Sequence, residues 1–315
     1  MDENFSNTNV ELIIHKAIAI QLVEDAQAFS RQCSKAVKDM AKAHLDKMMK
    51  KKGIKANYKT SDDNDDDDEN SEAELAKYIN VVRNHSLRGW FLAPYDPNQL
   101  INVLTCLHIK EGYHLGSYQG MDRHGNGYAR VLALPKNKRL SKWPPKKTLN
   151  ASLSSDRNTK SQKKVIESVL GIFFPSYRSF PKWTDQDIEY YIEGDGSPLS
   201  YFQASIYFRE LYELGAIWHN VYWGHHKLVT SSSDLLYEDF PVQETEPIVW
   251  TWKEPAPREW CPVVWKDEDK RWNVTFYTIN RMNADLVFHK DTFVQGYDFK
   301  TYSKSIANYP GGYMV

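Results

Sequence analysis

Between residues 10 and 52 the apolar positions Ile13, Ile14, Ala17, Ile18, Leu22, Ala26, Phe29, Cys33, Ala36, Val37 and Met40 recur at three-to-four spacing. That period predicts one helix over 10–52. Thr8 or Asn9 would cap it, no Pro or Gly interrupts it, and Gly53 stops it. Such a helix would be about 65 Å long at 1.5 Å per residue. Its stripe is rich in Ala and lacks a sustained Leu or Ile seam. It therefore reads as packed on its own protein or on a dimer mate, with a coiled-coil arm or homo-oligomer contact through 10–52 as the sharper version.

Further along, residues 73–84 read as a short helix. YHLGSYQ, MDRHGNG and YARVLALP read as a hairpin whose Asn126-Gly127 supplies the positive φ of a tight turn. Three helical stretches follow, SQKKVIESVLGIFF, WTDQDIEYYI and SYFQASIYFRELYELG, the last stopped by Gly215. AIWHNVYWGHHKLVT then suggests two short strands around Gly224. After a proline-rich connector at 241–259, the chain alternates apolar and polar residues. That pattern predicts a small antiparallel sheet or SH3-like barrel, with Asp267 to Lys270 as a hairpin turn. Trp250, Trp252, Trp260, Trp265, Trp272 and Tyr277 would either fill its core or line a stacking face. The fold class is α+β. Its expected segments are a helical arm (1–60), an acidic linker (61–74), an α+β segment (75–135), a basic linker (136–159), a helical module (160–240) and a β module (241–315).

Charge changes this picture locally, since the net charge of the 315 residues is −1. The run at 61–74 carries nine acids and no base, which predicts a disordered linker. The stretch at 136–164 carries ten bases against Asp156 alone, and reads as a phosphate-contacting arm or a solubilising loop. Cys33, Cys106 and Cys261 are far apart and form no zinc-type spacing, so a reducing compartment is expected. The acidic N-terminus lacks the order of a signal peptide, and no window is apolar enough for a membrane span. The expectation is a cytoplasmic protein, or a nuclear one in a host with a nucleus, without a membrane contact.

RELYELGAI, followed by a glycine-containing hairpin and KLVT, resembles the end of a winged-helix domain over about residues 160–230. The resemblance implies a third helix in the major groove of duplex nucleic acid and a wing on the backbone. The implied contacts are Tyr201, Gln203, Ser205 and Arg209 on the helix, and His225 and Lys227 on the wing. Lys136, Lys138, Arg139, Lys142, Lys146 and Lys147 would lend cations from the preceding loop. Residues 184–259 hold fourteen acids against four bases, which opposes phosphate and favours the alternative of a protein–protein adaptor.

A third reading is a metal-assisted hydrolase using His219, His225 and His226 in WHNVYWGHH. The bland counterpart is that these histidines pack as amphipathic residues. No HExxH, GxGxxG, P-loop or GxSxG is present, no nucleophile–base pair is legible, and no cofactor is expected.

Overall fold

A computed structural model describes residues 10–51, 89–121, 126–141, 187–217, 221–235 and 249–309. The acidic run 61–74, the helix expected at 73–84, the helix expected at 161–174, Lys142, Lys146, Lys147 and His219 lie outside the described residues.

The predicted N-terminal helix divides in two. Strand β1 (Val10–Ile13) pairs antiparallel with a C-terminal strand, and helix α1 (Lys16–Lys51) begins only after His15. The β-branched Val10 and Ile13 suit a pleated edge, and the tertiary pairing overrides the helical period there. Ala19, Leu22, Val23, Ala26, Cys33 and Val37 are buried within the chain itself. Much of the apolar stripe thus packs within the chain, while Ile13, Ala17 and Ile18 remain exposed.

Three strands form a small sheet, β2 (Gly89–Leu92) beside β4 (Tyr113–Met121) beside β5 (Gly127–Pro135). Between β2 and β4 lie the short helix α2 (Gln99–Val103) and β3 (Leu107–Ile109). The expected hairpin is present, with Tyr113 opposite Pro135 and Met121 opposite Gly127. Gly127 is paired in the strand and does not form the turn. A Cβ there would come within 2.6 Å of Ile217 Cγ1, so glycine is required by a close approach, since residue 217 bridges to residue 127.

The segment expected as a second helix is instead one 3-10 turn (Ile188–Tyr191) followed by β6 (Ile192–Gly194), which pairs with β3. Helix α3 (Pro198–Glu213) then runs through the middle of the molecule. Ser197 caps it by accepting the Ser200 N–H at 3.2 Å, and Pro198 occupies its first turn.

The C-terminal part is a seven-stranded antiparallel sheet. It contains β7 (His226–Val229), β8 (Thr251–Trp252), β9 (Val263–Lys266), β10 (Trp272–Asn280), β11 (Asp285–Gln295) and β12 (Asp298–Asn308). The order is β1-β9-β10-β11-β12-β8, and β7 pairs with the half of β10 that β9 leaves free. The hairpin turn falls at Asp267–Lys270 as expected, with Lys270 at φ 61 and the Asp267 carboxylate accepting the Arg271 N–H at 2.8 Å. Among the described residues the path is open and does not close into an SH3-like barrel. One core cluster draws Leu22 and Ala26 from α1, Leu100 from α2, Leu115 from β4, Phe202 and Leu211 from α3, and Val274 and Phe276 from β10. The fold is α+β.

Candidate functional site

The winged-helix resemblance gives helix α3 a reading face, and the structure leaves it none. Ser200, Phe202, Gln203, Ala204, Ser205, Ile206, Tyr207, Phe208, Glu210 and Leu211 are all buried. A helix apolar around its circumference is an interior helix, and FQASIYF carries that signal. Gln203 accepts the Cys106 N–H at 2.8 Å. Ser205 is fully buried. Tyr201 stacks on Trp272 at 4.8 Å and on Tyr297 at 5.0 Å. Gln203 and Ser205 are thus buried and Tyr201 is half-buried against aromatic rings, so none of the three presents a reading edge.

Arg209, the fourth, turns to the C-terminal sheet. Its Nη1 donates to Asp291 Oδ2 at 2.6 Å and its Nη2 to Asp291 Oδ1 at 2.9 Å. Asp291 is fully buried. The guanidinium carbon lies 5.0 Å from the Phe276 ring centroid and 5.4 Å from that of Trp223. A cation held this way is not open to phosphate.

The flap expected after α3 does not close on itself. Ile217 bridges to Gly127, Trp223–His225 makes one 3-10 turn, and His226–Val229 joins the distant β10. His225 therefore stands on a turn and Lys227 on the sheet strand that follows it, and no separate wing forms among the described residues. Glu213 organises the turn by accepting the backbone N–H groups of Tyr222, Trp223 and Gly224, the last at 3.0 Å. This carboxylate replaces the strand partner that the hairpin reading assumes.

The histidines do meet polar partners, in a chain that local spacing could not reveal. His226 Nδ1 lies 2.7 Å from Thr278 Oγ1, which lies 2.7 Å from His289 Nε2. His289 Nδ1 is 2.8 Å from Ser303 Oγ. The four residues cross β7, β10, β11 and β12 on the face toward α3. Burial and the Arg209 charge push His226 down to about 4 and His289 well below its ordinary value. Both are neutral near pH 7, which makes them weak bases and fits a structural hydrogen-bond ladder. Among the described residues no three His, Cys, Asp or Glu side chains are grouped to hold a metal ion. His226 is committed to Thr278.

The basic stretch places its described members together. Lys136, Lys138 and Arg139 are exposed where β5 ends, and exposed Lys110 joins them from the turn before β4. Gly112, at φ 85, shapes that turn, and its carbonyl accepts the Lys136 N–H at 2.8 Å. Arg139 donates to the carbonyls of Lys136 and Lys138 at 3.0 and 2.9 Å, which curls the segment onto the corner. None of the four forms a salt bridge among the described residues. Lys110 escapes sequence reading because it lies 26 residues before the basic run.

No family model matches the chain, and neither the curated proteins nor the solved structures provide a match. No helix among the described residues is long and apolar enough to cross a membrane.

Proposed function

We propose that the protein binds nucleic acid through the corner built by Lys110, Lys136, Lys138 and Arg139. The observation that carries this reading is four exposed cations on two adjoining turns with no carboxylate paired to them among the described residues. Glu111 is the acid nearest in sequence, and Lys142, Lys146 and Lys147 continue the charge beyond Ser141. Clustered lysines release counterions from a phosphate backbone, so affinity should fall steeply with salt. Helix α3 packs against β5 and supports the corner only as scaffold.

The test is fluorescence anisotropy of a labelled duplex at several ionic strengths. The triple variant Lys110→Glu, Lys136→Glu, Lys138→Glu should weaken binding and lower the salt slope by about one for each phosphate no longer neutralised. A slope and affinity equal to wild type would overturn this function.

A docking role for a protein partner has its own support. Tyr190, Tyr212 and Tyr222 are each more than half exposed, at 58%, 56% and 67%. Exposed tyrosines are frequent anchors of protein interfaces. A partner complex that survives nuclease and is lost in Tyr190→Ala plus Tyr222→Ala would favour it.

A further inference from the structure

The sheet face turned away from α3 is covered over only part of its area. Near β7, Trp250 and Trp260 pack on Val229, Leu235, Ile279 and Leu286. The opposite part of that face is open only in places: among the described residues Tyr302 and Lys300 are exposed, whereas Asn273 is buried, donating to the Arg271 carbonyl and accepting the Thr292 hydroxyl. Strand register runs a row there from Trp265 through Asn273 and Thr292 to Lys300. The adjacent row contains Thr275, Lys290 and Tyr302. Side chains alternate along a strand, and the buried inward positions Val264, Val274 and Asp291 fix these rows as outward.

Tyr302 is 54% exposed, Lys300 is exposed, and Trp265 and Lys290 are partly so. Lys290 Nζ sits 5.9 Å from the centroid of the Trp265 ring. Neither row contains a carboxylate, and Asp298 lies past their end, where the β11–β12 hairpin closes. At roughly 4.8 Å per strand and 3.3 Å per residue, Trp265 and Tyr302, three strands and one row apart, stand about 16 Å from each other with Lys290 between them.

We infer that this face is a stacking platform for single-stranded nucleic acid, a refinement that rests on the nucleic-acid reading above and names the strandedness. Unpaired bases have free π-faces that Tyr302 and Trp265 can take, while Lys290 and Lys300 meet the intervening phosphates. Bases within a duplex are already stacked on one another and cannot lie on a sheet. A protein partner would need a broader apolar patch than two separated rings among lysines.

The experiment uses the full chain with a labelled oligothymidine and a labelled duplex of equal length, both followed by anisotropy. Tyr302→Ala should weaken oligothymidine binding about tenfold, and Tyr302→Phe should restore it, because the ring and not the hydroxyl stacks. Lys290→Ala should lower the oligothymidine salt slope by about 0.7. Duplex affinity should not change in any of the three, and their urea midpoints should match wild type. Oligothymidine affinity unchanged by Tyr302→Ala would overturn the platform, and so would parallel loss of duplex binding. Competition by polyglutamate as effective as that by unlabelled oligothymidine would reduce the face to a charge effect and also overturn it. If Tyr302→Ala has no effect while the Lys110, Lys136, Lys138 variant loses binding, only the platform falls. Absence of binding to either probe by wild type sinks the parent reading as well.

Discussion

Arg209 and Asp291 meet through two N–H···O bonds of 2.6 and 2.9 Å, joining the central helix to the middle of the C-terminal sheet. The aspartate is sealed from solvent and the arginine lies against the rings of Phe276 and Trp223. Removing one partner of such a pair leaves the other charge buried alone. Asp291→Ala should therefore cost about 3–5 kcal/mol in urea unfolding. The double change Arg209→Met, Asp291→Leu should recover most of that loss. A single-variant loss within about 0.5 kcal/mol of zero, the range of ordinary surface changes, would show that the pair does not hold the seam.

Glu210 makes the fold sensitive to pH. It is 1% exposed, accepts the Trp223 Nε1–H at 2.7 Å and the Ser30 hydroxyl at 2.5 Å, and burial raises its pKa from 4.5 to about 7. The folded state thus holds this proton more tightly than the unfolded chain. Its contribution is complete below pH 4.5 and is lost as pH rises through about 7. The loss is on the order of 3 kcal/mol. His226, held down to about 4, acts in the opposite sense, and its contribution is lost as pH falls from 6.5 toward 4. Glu210→Gln should be more stable than wild type at pH 8, and the gap should close by pH 5. Urea midpoints measured across that range would show it, and a gap independent of pH would refute it.

Tyr207 offers a simpler test. Its side chain is fully buried, and its hydroxyl has no hydrogen-bond partner among the described residues. Burying an unpaired hydroxyl is costly, so Tyr207→Phe should stabilise by about 1 kcal/mol. A lower thermal midpoint in the variant would mean that the hydroxyl has a partner in solution.

What is legible in the sequence is short in range. The helix Pro198–Glu213, the Tyr113–Pro135 hairpin and the Asp267–Lys270 turn each follow from residues within one element. The interior place of α3 is signalled by FQASIYF, but the places of its polar members Gln203, Ser205 and Arg209 are not legible, because polar side chains on a helix also suit a groove-reading surface. Each instead lies inside, Gln203 on Cys106 and Arg209 on Asp291. The wing fails for a related reason. KLV has the pattern of a strand wherever it pairs, and only the tertiary fold puts Lys227 opposite Ile279. The hydrogen-bonded chain from His226 to Ser303 joins residues 77 positions apart, a separation that no local spacing encodes.

The sheet takes β1 from residue 10 and β7 from residue 226, yet the strands that receive them lie at 263–266 and 272–280. While the ribosome is still translating codon 262, both early strands are waiting for neighbours that have not been made. Closure of the sheet therefore waits for β9 and β10, across loops of more than 40 and more than 240 residues. A nascent chain paused before β9 would expose two unpaired strands, and chaperone capture should peak in that interval.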